Sequence, residues 1–173
     1  MIINQRDSAH SAVIEAGRLI LNAIRTAPKA RGVDIIEAVM IEGDDIHVLS
    51  NQMLQLFEET QRPVFQRDGN NILQADAIIL LGYRPMPMGL NCAHCGYSKC
   101  NERPEDVPCA FNQVDLGIAI GSAVSLAADL RLDSRVMYSA GMAAMRCNLL
   151  PDCKGILAIS LSVSSKNPFF DRK

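Results

Sequence analysis

The sequence predicts an α+β protein, a sheet carrying helices on both faces with a cysteine-rich loop set into it. Three observations carry this prediction. Segments with helical period alternate with strand-like segments along the chain. After the opening Asp76, residues 76–82 are apolar without interruption, the pattern of a strand covered on both sides. The unusual composition is gathered into residues 83–114, which hold four cysteines and four prolines. A chain of 173 residues matches one domain, here 1–173, with 83–114 as a loop insertion.

The first helix is predicted over residues 5–25, where Val13, Gly17, Ile20, Leu21 and Ile24 recur at helical spacing before Pro28 stops it. Residues 35–42 are rich in β-branched side chains and read as a strand closed by Gly43. Asp44 is placed to cap a second helix that runs to about residue 61. Its inner face is Ile46, Leu49, Met53, Leu56 and Phe57. After Pro63 comes a polar turn and a brief helix near 71–75, with Asp68 and Asn70 suited to turning or capping the chain. The buried strand 76–82 follows.

Beyond the cysteines, the most apolar helix is predicted over 115–131. Gly117, Ala119, Gly121, Ser122, Ala123, Ala127 and Ala128 keep it small-sided, so another backbone can approach it closely, in the core or at a subunit interface. A strand over 135–139, a short helix over 141–147 and a strand over 155–163 complete the chain. This pattern leaves strand order open.

Composition narrows the function. With 49% apolar and 21% charged residues the chain is globular. Seventeen basic residues against nineteen acidic ones give a net charge of −2, which offers nucleic acid no electrostatic footprint. Aromatics are 5% with no Trp, too few for a base-stacking platform. No basic segment leads into an apolar run at the start, and no apolar stretch approaches the roughly 18 residues of a membrane span. A cytoplasmic protein with no membrane partner is expected, and there six cysteines point to metal or redox chemistry before disulfides.

Cys92, Cys95, Cys100 and Cys109 form C-x2-C-x4-C-x8-C, with Gly96 directly after the second. Four soft thiolates on one loop select zinc or an iron–sulfur cluster over hard cations. Structural zinc usually takes two separated C-x2-C-like pairs, whereas three close thiols and one distant thiol suit a four-iron cluster, 4Fe-4S. Zinc stays the alternative. His94 lies inside the first pair and is either a fourth ligand in place of a thiol or an exposed loop residue. Of the remaining cysteines, Cys147 reads as a small buried hydrophobe. Cys153 reads as a more exposed turn residue, beside Lys154 but without a histidine base.

The run Cys92-Ala-His-Cys95-Gly96-Tyr-Ser-Lys-Cys100 is similar to the C-x2-C-G-x3-C cluster motif of corrinoid iron–sulfur proteins. The longer pattern resembles a family of small uncharacterised proteins described as containing a ferredoxin domain. The resemblance is carried by Arg25 to Gly32, Phe65 to Asp68, the four-cysteine loop, Asp115 to Ser122, Arg135 to Tyr138 and Lys166 to Arg172. A second resemblance is to nitroreductase-like flavoproteins, through Ala27-Pro28-Lys29 ahead of a strand, Asp115-Leu116-Gly117 opening a long helix, and a last strand before Arg172. It implies a nitroreductase-like α+β fold, a homodimer and FMN in a groove at the subunit boundary. That family's Arg-Ser-x-Arg phosphate grip is absent here. A flavin or anion site would need other cations, and Arg25, Lys29, Arg31, Lys166 and Arg172 are the candidates.

The leading expectation is an iron–sulfur redox protein that passes electrons to a second group or a partner protein. A dimeric zinc module acting by association and an FMN-dependent oxidoreductase are the alternatives. Serine-triad catalysis and P-loop chemistry have no matching motif.

Overall fold

The computed structural model describes residues 1–170. Its strands are β1 (Ile36–Ile41), β2 (Ala77–Tyr83), β3 (Asp133–Met137) and β4 (Lys154–Ser162). Its helices are α1 (Gln5–Thr26), α2 (Asp44–Thr60), α3 (Pro63–Ile72), α4 (Ala110–Asp129) and α5 (Tyr138–Arg146). The four strands form one sheet in the order β1-β2-β4-β3, with every neighbouring pair antiparallel.

Strand β2 is buried at every residue, as its unbroken apolar run predicts. Alternate side chains serve opposite layers. Ala77, Ile79, Leu81 and Tyr83 join the core under α1 and α4, and Ile78 and Leu80 join the core under α2, α3 and α5. Helices therefore cover both faces. The small side of α4 is used here, since Leu116, Ala119, Ala123 and Ala127 are buried in the first core.

Several sequence expectations need correction. Pro63 does not precede a turn; it stands at the first position of α3, where its fixed φ and missing N–H suit a helix start. The helix ends at Ile72, where the sequence reading begins one, and Phe65, Asp68, Gly69 and Ile72 form its inner face. Asp68 and Asn70 are thus helical rather than turn residues. Gly43, not Asp44, is the cap residue of α2, and Asp44 joins Asp45 in the first turn, where negative charge complements the dipole. Helix α4 starts five residues before the expected Asp115, because Asn112 and the backbone around it are already anchored. By length and composition α4 is also apolar enough to cross a membrane, contrary to the reading that no such stretch exists.

Asp68 is a centre of polar order beneath the second layer. Only 2% exposed, it accepts from Ser139 Oγ at 2.5 Å and Arg67 Nε at 2.8 Å, with Arg135 Nη2 at 3.5 Å. Arg135 also donates to the Phe169 carbonyl and lies over the Phe170 ring, which fastens the end of the described chain against the sheet.

Helix α5 sits so close to β4 that only glycine fits at position 141: a Cβ there would stand 1.8 Å from the Ile156 carbonyl oxygen. No rotamer relieves a clash with backbone. Gly141→Ala is expected to cost about 3 kcal/mol, the range of overpacked cores, and to lower the midpoint of thermal unfolding by about 10 °C. Calorimetry on the variant checks this.

Candidate metal centre

Residues 84–109 leave the end of β2 and return into α4, and their roots are fixed by the two elements they join. The Arg84 N–H continues the sheet by donating to the Ile35 carbonyl at 2.9 Å. Asn112, in the first turn of α4 and 1% exposed, holds the backbone of Met86 at both ends. Its Nδ2 donates to the Met86 carbonyl at 2.9 Å, and its Oδ1 accepts the Met86 N–H at 3.2 Å. Arg31 Nη1 donates to the Met88 carbonyl at 2.8 Å. Gln113 Nε2 donates to the Tyr83 hydroxyl at 2.8 Å.

From this anchored root the chain coils through a series of left-handed residues, with φ of 68° at Gly89, 47° at Asn91, 61° at Ala93 and 89° at Gly96. Such residues reverse the chain tightly enough to fold the loop back on itself. Asn91 makes the arrangement concrete. Its Oδ1 accepts the Cys100 N–H at 2.9 Å, and its own N–H donates to Cys100 Sγ at 3.4 Å.

The structure brings Cys92, Cys95, Cys100 and Cys109 to one small cavity, whose apolar lining includes Met88, Leu90 and Phe111. Cys109 is buried and the other three are half-buried. Cys109 is also the residue that caps α4, so the positive end of that helix lies beside a thiol. Among the described residues, no three Cys, His, Asp or Glu side chains are drawn together as closely as a single metal ion needs. The donor set, the Asn91 amide on Cys100 Sγ and the largely apolar lining suit a sulfur-ligated group. His94 is exposed, stacks on Phe111 at a ring distance of 5.7 Å and is not part of the lining.

The basic residues proposed for an anion are not gathered in this way. Lys29, with its side chain 4% exposed, donates from Nζ to the Ile24 and Arg25 carbonyls at 2.7 Å each, closing the end of α1. Arg25 pairs with Asp34 at 2.5 Å, and Arg31 is the loop anchor described above. Lys166 precedes the Pro168–Phe170 turn. Arg172 lies outside the described residues. Beside Lys29, Asp115 is 1% exposed and accepts the Ala30 N–H with both oxygens at 3.0 and 3.1 Å. Burial pushes its carboxyl upward, against the opposing pull of the Ala30 bond and the Lys29 charge.

The other two cysteines exchange their expected places. Cys153 is buried, because the turn before β4 folds it against Gly82 of β2. Cys147 is only half-buried, at the end of α5. Burial raises both thiols above their ordinary range. Sequence reasoning missed Asn91, Asn112 and Arg103. A polar residue inside a loop carries no periodic signal, and only the folded loop shows what each one faces.

Comparison with known proteins agrees with the chain's architecture. A family model described as "Uncharacterized protein containing a ferredoxin domain (DUF2148)" matches residues 105–172. An uncharacterized protein of Archaeoglobus fulgidus is 34% identical over 182 residues, covering 99% of this chain and 98% of the relative. The chain belongs to this ferredoxin-domain family.

Among solved structures it is similar to a nitroreductase with bound FMN from Desulfitobacterium hafniense. The TM-score is 0.62 at 13% identity, over 88% of this chain and 78% of that one. A nitroreductase family protein of Clostridium novyi scores 0.60 at 14% identity, over 99% and 79%. The Lactococcus lactis nitroreductase CinD, in complex with nicotinic acid, scores 0.60 at 18% identity, over 95% and 81%. The fold is nitroreductase-like.

The buried and loop thiols are expected to react differently. A raised pKa leaves less thiolate at a given pH, and thiolate is the nucleophile. At pH 8, metal-free protein treated with iodoacetamide should carry label on Cys92, Cys95 and Cys100 well before Cys153, as mass spectrometry of the peptides would read.

Proposed function

We propose that this protein is an iron–sulfur electron carrier whose 4Fe-4S cluster is held by Cys92, Cys95, Cys100 and Cys109. The observation that carries the reading is that four cysteines spread over eighteen residues of sequence line one cavity. The family's ferredoxin-domain description and the spacing of three near thiols and one distant thiol support it. When bound, such a cluster supplies one-electron exchange. The chain's own residues do the rest. Asn91 donates to the Cys100 sulfur, Asn112 and Arg31 hold the loop root, and Met88, Leu90 and Phe111 supply apolar lining. Because three of the thiols are only half-buried, the centre lies at the surface, where a redox partner protein could dock.

The test is metal and sulfide analysis of anaerobically purified protein together with its visible spectrum. About four irons and four sulfides per chain, with colour that bleaches under dithionite, is the expected result. One zinc and no colour would instead make the loop a structural module. Cys95→Ser should lose iron and colour together and speed amide exchange in residues 84–109, while amides of β2 and β4 stay protected.

A second reading, an FMN-dependent oxidoreductase, is favoured by the nitroreductase-like fold. Arg25, Lys29 and Arg31, however, are held by Asp34 and by backbone carbonyls, so they do not form a phosphate grip and no step is derived through a flavin. Yellow fluorescence released on denaturation would revive that reading.

We also propose a homodimer formed through the outer side of α4. Val114, Gly117, Ile118 and Gly121 recur at helical spacing there; Val114 and Ile118 are 46% and 40% exposed, and open space lies above both glycines. Light scattering should give twice the 18.9 kDa chain mass, and Gly121→Leu should return it to that of one chain. A monomeric wild type would sink the dimer.

A further inference from the structure

Among the described residues, one buried side-chain polar atom has no hydrogen-bond partner, the Nε of Arg103. A buried donor without an acceptor is uncommon in folded proteins, because it has given up water for nothing. The same guanidinium uses Nη1 on the carbonyl of its neighbour Pro104 at 2.9 Å, which fixes its plane. Arg103 lines the cavity shared by Cys92, Cys95, Cys100 and Cys109, and apart from those thiols it is the one ionisable group with a permanent charge in that lining. The nearby Lys99 is exposed and paired with Glu102, so it does not compete for the role.

The free donor and the thiols have complementary needs. Thiolate and sulfide sulfur accept hydrogen bonds and bring concentrated negative charge. Resting on the iron–sulfur reading above, we infer that Arg103 donates its Nε–H to the sulfur-bound group and favours that group's reduced form. The physical reason is electrostatic. Reduction adds one electron and one negative charge, with no covalent bond made or broken, and a fixed cation beside the group stabilises the more negative state. A guanidinium suits this place because it stays protonated throughout.

The experiment is a spectroelectrochemical titration of iron-loaded wild type, R103Q and R103K, with iron content measured on each. R103Q keeps a donor but removes the charge, and it should shift the one-electron reduction equilibrium at least tenfold toward the oxidised form, about 59 mV for one electron. R103K keeps the charge and should stay within threefold of wild type. An R103Q protein with full iron and an unshifted equilibrium overturns the assignment. If R103Q holds no iron, R103K decides: iron-loaded R103K near the wild-type potential supports a role for the charge, and R103K also without iron makes Arg103 a folding residue and overturns the proposal. A wild type that takes up no iron overturns the cluster reading itself, and the Arg103 assignment falls with it.

Discussion

Keeping β2 dry is the constraint on which the rest of the molecule depends. A strand buried at all seven residues needs a strand on each edge and helices on each face. β1 and β4 supply the edges, α1 and α4 cover one face, and α2, α3 and α5 cover the other. The backbone of such a strand has no water to bond, so its ladder must be complete. The cysteine loop begins where β2 ends, at Tyr83, and returns at the start of α4. A loop rooted in a buried strand and a core helix inherits their rigidity, and this lets irregular chain hold four thiols around one cavity.

Charge is used in the same way. Lys29 closes the end of α1, Asp115 ties α4 to the turn that follows α1, and Arg31 and Asn112 hold the loop root at Met88 and Met86. These contacts lie around the first core, between α1, α4 and the loop. Asp68, Ser139 and Arg135 do equivalent work in the second layer. Buried polar groups need partners, and here most of them join segments distant in sequence, so they specify the fold as well as stabilise it. Arg103 stands apart because its buried Nε has no partner among the described residues.

Much of this was legible beforehand. Helical period placed α1 and α2 closely, and the unbroken apolar run of β2 announced a strand covered on both faces. The four loop cysteines were legible from spacing, since thiols at C-x2-C-x4-C have few structural reasons to occur. What was misread had a common cause. Pro63 and Asp68 read as turn residues in the sequence, yet the tertiary structure makes Pro63 a helix start and Asp68 a buried acceptor, while Cys109, read as a loop ligand, also caps α4. Local propensity is weak beside burial, and a residue that suits a turn also suits the first turn of a helix when a core is waiting for it.

The sequence by itself determined the class of fold, the layers and the spacing of the loop cysteines, because periodicity and residue spacing are properties of the chain alone. Only the tertiary structure decided strand order, the exchange of Cys147 and Cys153 between half-buried and buried places, and the engagement of Arg25, Lys29 and Arg31 with protein partners. It also singled out Arg103. Each of these depends on which distant groups meet, and a hydrogen bond or a buried contact between residues far apart in the chain leaves no period in the sequence.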